Sequence, residues 1–391
     1  MNGIVSTALG DPSPANRETL ETIETPCVVV DYRRLCANIA CMADMVGNAA
    51  ALRPHGKTHK SVQIARMQVE RGAVGLTTSK SEETKVFLRG GIGSVTGAYP
   101  LVDERKVARI MEASRSNGQD MRFIVDSPET VDVLEKVGSD RGISDIPTFI
   151  KVDVGLGRCG VDPDSEAALD IAVRVSRSPR LHFQGLLSHA GHAYGASSLK
   201  QVHEIAVHER RLLTGFKTKC AGAGLDVPEV SVGATPTVLA NDGFEGITEA
   251  RPGNYVFLDR TQVALGVARL SDVALSVLAT IVSLNDRHLI ADAGSKTLSS
   301  DLGAHGKTAV EGYGWAIPLG DDDDNPGYVV SRLSEEHAFI EHSGRRLPIG
   351  SRIRIYPNHA CVVANLTGRI ALSSNDEVFD WIDIEAQGQV R

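Results

Sequence analysis

The chain has 391 residues, 42% of them hydrophobic, and a formal net charge of −8 at neutral pH. That length suffices for two domains, and an acidic balance argues against nucleic acid or an anionic membrane surface as partner. No apolar run is long enough to span a membrane, the first residues lack the basic-then-apolar order of a secretory signal, and the six cysteines are scattered with no CxxC pair, so a cytoplasmic protein with reduced thiols is expected.

In chain order, residues 1–22 are polar and proline-containing and read as a loose arm. CVVVD (27–31) leads into a helical stretch, RRLCANIACMADMVGN. Eight further β-branched runs follow: ALRPHGK (51–57), VGLTT (74–78), SVTGAY (94–99), RFIVD (122–126), TFIKVDV (148–154), FQGLLSHA (183–190), EVSVG (229–233) and GITEARPG (246–253). Amphipathic segments such as VHEIAVHERRLLTGFKTKCAGAG (202–224) separate most of them. Strand–helix alternation repeated eight times predicts an α/β fold, a (β/α)8 TIM-type barrel over 23–267; a doubly wound open sheet is the alternative. From residue 268 the runs VALSVLATIVSLND, HLIADAGS, HAFIEHSG, SRIRIYP, CVVANL, RIALSS and EVFDWIDIEA crowd together with little helix between them. They predict a C-terminal β domain over 268–391, against which the stretch near 23–31 is able to pack. DDDDNPG (321–327) lacks the alternating spacing of a calcium loop and reads as solvated.

In a barrel the chemistry sits at the carboxyl ends of the strands. There the sequence places an unusual polar set: His55, Lys57 and His59, then Asp153 with Arg158, His189, His192 and Tyr194, Ser231 and Thr235, and Glu249 with Arg251. Lys57, in RPHGKTHKS, is the candidate nucleophile. Loss of water and cationic neighbours both favour its neutral amine, which can form a Schiff base with an aldehyde; the plain reading of the run is a solvated basic loop. VSVGATPT (230–237) and EARPGNY (249–255) are turns after consecutive late strands, where barrels build phosphate sites from exposed N–H groups. A lysine with two phosphate turns points to a phosphorylated aldehyde, and pyridoxal phosphate fits best. Arg158 of GRCG is a cation at the rim that can face a ring nitrogen or a carboxylate. In YPNHACVVAN (356–365), His359 and Cys361 stand two apart; on a strand they would share a face and bind zinc. SEEH (334–337) reads as a surface turn.

The set RPHGKTHKS, GRCG, LLSHAGHAYG, VSVGATPT, EARPGNYVFLD, DAGSK, EEHA and PNHAC resembles the fold-type III pyridoxal-phosphate enzymes, and within them the D-threonine aldolase and D-serine dehydratase family, over roughly residues 23–385. The resemblance implies a homodimer with active sites between subunits and a D-amino acid substrate. It implies that Lys57 rather than Lys60 holds the cofactor, that Tyr194 lines its pocket, that Thr235, Gly253 and Asn254 bind its phosphate, and that Arg158 lies near its ring. It also implies a divalent metal on His359 and Cys361. A thiolate ligand favours zinc over manganese or magnesium. The known aldolases have aspartate where this chain has Cys361, so dehydration of a D-3-hydroxy amino acid, such as D-serine or D-threo-3-hydroxyaspartate, to a 2-oxo acid and ammonia is expected. Retro-aldol cleavage to glycine and an aldehyde is the alternative, with His189, His192 or His337 as base. A racemase or a non-catalytic cofactor carrier is further off.

Overall fold

The computed structural model describes residues 18–303 and 310–391. Strand β1 (Cys27–Asp31) runs straight into helix α1 (Tyr32–Val46). Asp31 caps that helix by accepting from the Arg34 amide at 3.0 Å, and Leu35, Ile39, Met42 and Val46 repeat at helical spacing on its buried side.

The barrel follows. Its strands are β2 (Ala51–Leu52), β3 (Leu76–Thr78), β4 (Ser94–Gly97), β5 (Asp120–Val125), β6 (Ile146–Lys151), β7 (Leu181–Leu187), β8 (Glu229–Val232) and β9 (Glu249–Ala250). Helices α2 (Val62–Glu70), α3 (Ser81–Arg89), α4 (Glu104–Ser116), α5 (Pro128–Asp140), α6 (Glu166–Arg177), α7 (Leu199–Gly222) and the short α8 (Thr235–Leu239) alternate with them, and α9 (Arg260–Ala264) leads out. All eight strands are parallel, in the order β2-β9-β8-β7-β6-β5-β4-β3. The two ends of that order meet. His55 bridges Thr77, Thr77 donates its amide to Pro54 O at 2.7 Å, and Gly56 donates to Thr77 O at 2.8 Å. The sheet therefore curls round on itself as a barrel, and the open-sheet alternative falls. Past β2 the backbone still donates from Arg53 to Ala250 O and from His55 to Pro252 O, both at 2.9 Å, and Lys57 lies in the turn that follows.

The C-terminal domain is a nine-stranded sheet among the described residues: β10 (Leu275–Leu284), β11 (His288–Ala291), β12 (Gly314–Pro318), β13 (Tyr328–Leu333), β14 (Ala338–Glu341), β15 (Arg352–Pro357), β16 (Arg369–Ser374) and β17 (Glu377–Asp383), joined by β1. Two short helices interrupt the strands, α10 (Ser295–Leu298) and α11 (Ala360–Leu366). β1 lies between β10, antiparallel, and β16, parallel. Among the described residues, the first strand in sequence thus belongs to the C-terminal domain.

The expected loose arm falls mostly on residues 1–17, outside the described residues. Its described end is fixed. Thr19 bridges Glu377, and Leu20 and Ile23 bury themselves against Cys27, Val29, Leu278 and Ala371. The acidic run is likewise not wholly solvated. Asp323 is 8% exposed and accepts from Arg34 at 2.5 Å and from the Tyr356 hydroxyl at 2.6 Å. All six cysteines are free thiols.

The barrel interior carries charge as well as aliphatic packing. Arg53 pairs with Glu249 at 2.6 Å, and Arg122 with Glu229 at 2.9 Å. The Ser94 hydroxyl links Arg53 to Asp120, at 2.7 and 2.8 Å. These pairs satisfy one another, as buried charges must.

Candidate active site

One pocket lies where the barrel's carboxyl rim meets the C-terminal domain. Barrel residues His55, Lys57, Thr58, His189, Tyr194, Thr235, Arg251, Gly253 and Asn254 line it, and His359 and Cys361 close it from the β domain.

Lys57 enters from the turn after β2. Its own amide donates to His55 Nδ1 at 3.3 Å, and His55 Nε2 lies 3.4 Å from the Ser79 hydroxyl, so both sides of that imidazole hold the turn. The turn is also braced from afar. Glu385 accepts from the Val62 amide at 2.9 Å, at the start of α2, and the Ala386 amide donates to Lys60 O at 3.0 Å. Burial pulls the Lys57 amine below its ordinary range, and Arg158 and Arg251 act in the same direction against Cys361 and Glu83. Lys60 is a different case: its amine pairs with buried Glu83 at 2.6 Å. The geometry leaves Lys57 as the lysine facing the pocket.

Two turns make the opposite wall. Ala234 and Thr235 open α8 after β8, and Gly253 and Asn254 follow β9. The Thr235 hydroxyl accepts from the Tyr255 amide at 3.2 Å and is hydrogen-bonded to Tyr194, which ties the two turns and the tyrosine together. A Cβ on Gly253 would stand 2.9 Å from Thr58 Oγ1 and 3.0 Å from His55 O, so only glycine lets this turn approach the lysine turn.

His189 donates through Nδ1 to Gly233 O, 2.6 Å away; a carbonyl only accepts, so the proton sits on Nδ1. Burial, then Lys57 and Lys151, hold this imidazole well below its ordinary range, hence neutral, with Nε2 the basic nitrogen. Arg251 was on the sequence's list of rim residues but was assigned no role in the site. It is buried, lines the pocket, and lies under the Gly233 turn, where a Cβ would meet its guanidinium at 3.2 Å. No local pattern separates Arg251 from other rim residues; only the packing of β8 against β9 does.

His359 and Cys361 are brought together, but not on a strand. β15 ends at Pro357, His359 is the N-cap of α11, and Cys361 lies in the first turn of that helix. Their side chains are hydrogen-bonded to each other. His359 Nδ1 faces Asp259 Oδ2 at 3.1 Å, and that fully buried carboxylate also accepts from Asn254 at 2.7 Å and from the Ala360 amide at 3.1 Å. Burial works against charge on both side chains. The Cys361 thiolate and Asp259 nonetheless hold His359 well above its ordinary range, and His359 with the Thr58 hydroxyl pulls the Cys361 thiol down. An imidazole backed by a carboxylate, beside a thiolate, is a donor set that suits zinc. Among the described residues no third His, Cys, Asp or Glu joins them.

The other expected residues fall outside this lining. Arg158 sits exposed on the loop after β6, and only its charge reaches Lys57. His192 packs over Gly155 of the same loop, 3.4 Å from where a Cβ would stand. His337 is exposed in the β13–β14 turn, where its carbonyl accepts from the Ser334 amide at 2.9 Å. Within one chain it is not part of the pocket, because that hairpin places it among Glu335, Glu336 and Lys296 instead.

A lysine in the turn after the first barrel strand, two turns facing it after the last two, and a strand-built domain closing the mouth define a fold-type III pyridoxal-phosphate enzyme. Residues 30–261 match the family described as alanine racemase, N-terminal domain, and residues 274–372 match the putative serine dehydratase domain; the chain belongs to this family. It is 33% identical to D-threo-3-hydroxyaspartate dehydratase of Delftia sp. (strain HT23), over 93% of this chain and 98% of that one. It is 30% identical to D-serine dehydratase of Dictyostelium discoideum, over 92% and 96%. The solved Delftia enzyme superposes with a TM-score of 0.87 at 32% identity, covering 94% of this chain and 98% of that one. Solved variants of that enzyme include a cysteine-to-alanine form that is metal-free and a histidine-to-alanine form, at positions two residues apart. D-threonine aldolase from Filomicrobium marinum gives a TM-score of 0.85 at 25% identity, covering 97% and 100%. No helix among the described residues is long and apolar enough to cross a membrane.

Proposed function

We propose that the protein is a pyridoxal-phosphate- and metal-dependent lyase that dehydrates a D-3-hydroxy amino acid to a 2-oxo acid and ammonia. The observation that carries this reading is the meeting, in one pocket, of the Lys57 amine with the His359–Cys361 pair. The cofactor, when bound, supplies a conjugated ring that takes up the electron pair released at Cα. The residues present fit it. Thr235, Gly253 and Asn254 offer a cradle that a side chain at 253 would fill, Tyr194 braces Thr235, and Arg251, which lines the pocket, would face the ring in the role expected of Arg158. A metal ion on His359 and Cys361 would supply Lewis acidity at the substrate hydroxyl. Asp259 stands as acceptor at His359 Nδ1, so Nε2 would be the nitrogen that ligates an ion in place of its proton, and the soft thiolate favours zinc.

Lys57 would hold the cofactor, and its amine, pulled below its ordinary range by burial, would serve as the base at Cα. The neutral His189, with its basic Nε2, supports a second reading. A base near the hydroxyl would remove the hydroxyl proton, and Cα–Cβ cleavage to glycine and an aldehyde would follow. Assembly as a homodimer and action in the cytoplasm belong to the same proposal. Incubation of the holoenzyme with D-serine, D-threonine and D-threo-3-hydroxyaspartate tests it. A 2-oxo acid with ammonia is expected. Glycine with an aldehyde makes it an aldolase, the L-enantiomer a racemase, and unchanged substrate a carrier.

A further inference from the structure

Arg251 is a buried cation with no carboxylate in direct contact among the described residues. Its Nε donates to Ser231 Oγ at 2.7 Å, and a terminal nitrogen donates to Ser188 O. Ser231 passes the contact on through that same hydroxyl, whereas Ser188 accepts through its backbone carbonyl and bonds onward through its separate hydroxyl. The Ser231 hydroxyl donates to Glu249 Oε1 at 2.7 Å, and the Ser188 hydroxyl to Glu209 Oε1 at 2.5 Å. Glu249 is 2% exposed and is held on its far side by Arg53 at 2.6 Å and Arg122 at 3.8 Å.

A buried guanidinium needs compensating charge. A direct carboxylate pair would supply it, but would also occupy the planar fork through which arginine recognises ligands. A carboxylate one hydroxyl away compensates and leaves part of the fork for the pocket. Ser231 sits on β8 and Glu249 on β9, paired across the sheet, so barrel register itself fixes the distance between them. We propose that Glu249 is a positioning residue for Arg251: acting through the Ser231 hydroxyl, it fixes the guanidinium on the pocket floor against the ring of the bound cofactor. This rests on the reading of Arg251 as the ring-facing group.

The test measures pyridoxal 5'-phosphate affinity of the full-length protein, together with the pH profile of the bound cofactor's absorbance. Ser231→Ala and Glu249→Gln should each weaken binding roughly tenfold or more, as loss of a hydrogen bond to a charged group does, and should move the absorbance profile. The double variant should be no weaker than the weaker single one, because both act along one chain of contacts. Ser231→Thr, which keeps the hydroxyl, should restore both readouts. Glu249 also neutralises Arg53 and Arg122, so Glu249→Gln is expected to lose stability; if it does not fold, the two serine variants decide. Should Ser231→Ala bind the cofactor as the unaltered protein does, with an unmoved profile, while Arg251→Lys binds weakly, the relay is wrong and the site reading stands. Arg251→Lys with unaltered affinity and profile overturns the ring-facing reading and the relay with it.

Discussion

Lys57 and Lys60 stand three residues apart, and the structure gives them opposite surroundings that unfolding can separate. Lys60 Nζ lies 2.6 Å from Glu83 Oε2, with the two side chains 7% and 1% exposed, and the other Glu83 oxygen accepts from the Ser79 amide at 2.8 Å. At that separation the gross Coulomb attraction is roughly 6 kcal/mol at an effective dielectric constant of about 20. Most of it offsets the desolvation of both charges. Lys60→Met would leave the Glu83 carboxylate stranded, a loss of about 3–5 kcal/mol. Lys57→Met removes an amine that makes no ion pair among the described residues and whose charge burial already opposes, so the cofactor-free protein should keep or gain stability. The assay is urea unfolding of cofactor-free protein followed by the fluorescence of its two tryptophans. Lys60→Met should lower the midpoint markedly, Lys57→Met should not, and Lys60→Met/Glu83→Met should recover most of the loss. Borohydride reduction of the reconstituted protein should still label the Lys57 peptide in Lys60→Met, provided it is kept below its unfolding midpoint. A stable, unlabelled Lys60→Met beside a destabilised, labelled Lys57→Met would refute the assignment of the two lysines.

Three further outcomes follow from the geometry. Gly253→Ala places a methyl 2.9 Å from Thr58 Oγ1 at a φ of −122°, where the backbone itself is unstrained, so a steric cost of about 1–3 kcal/mol should appear as weaker cofactor binding in an absorbance titration; unchanged affinity would mean that this turn does not cradle the phosphate. Cys361→Ala should lower metal content by elemental analysis and lower turnover while cofactor binding persists, and full activity after exhaustive chelation would remove the metal from the reaction. Burial pulls the Lys151 amine from 10.5 to about 8, so within that window the unfolded chain holds a proton that the native state lacks, and the stability of the cofactor-free protein should rise as pH climbs through it. Lys151→Met should flatten that rise in urea midpoints taken across the window; an equal slope in both proteins would show that Lys151 is protonated in the fold.

The barrel was readable because each of its strands is a compact β-branched run with polar residues at its carboxyl end, and a run keeps that mark whatever surrounds it. Lys57 was readable for the same reason: RPHGKTHKS follows an apolar pair that has to be inside. Other assignments depended on partners far away in sequence. CVVVD looks like any buried strand, and only its pairing with Leu275–Leu284 and Arg369–Ser374 puts it in the other domain. HACVVANL carries two valines and reads as a strand, yet packing over Asp259 turns it into a helix with His359 at its cap. Four adjacent aspartates look solvated until Arg34, nearly three hundred residues earlier, reaches Asp323. Arg251 was visible as a rim residue, but its share in the pocket comes from a network whose members stand apart in sequence, Ser188 just past β7, Glu209 on α7, Ser231 on β8 and Glu249 on β9.

The placement of β1 has a consequence for how the molecule is made. A nascent chain emits this valine-rich segment first, then the whole barrel, and only afterwards the two strands that flank it. The barrel is contiguous and can close while synthesis continues, but Cys27–Asp31 must wait with both hydrogen-bonding edges bare. A fragment cut at the barrel's end would keep that orphan strand and precipitate through it. A permuted chain that begins after residue 31 and carries 18–31 behind residue 391 would deliver the strand to a finished sheet and should escape that hazard.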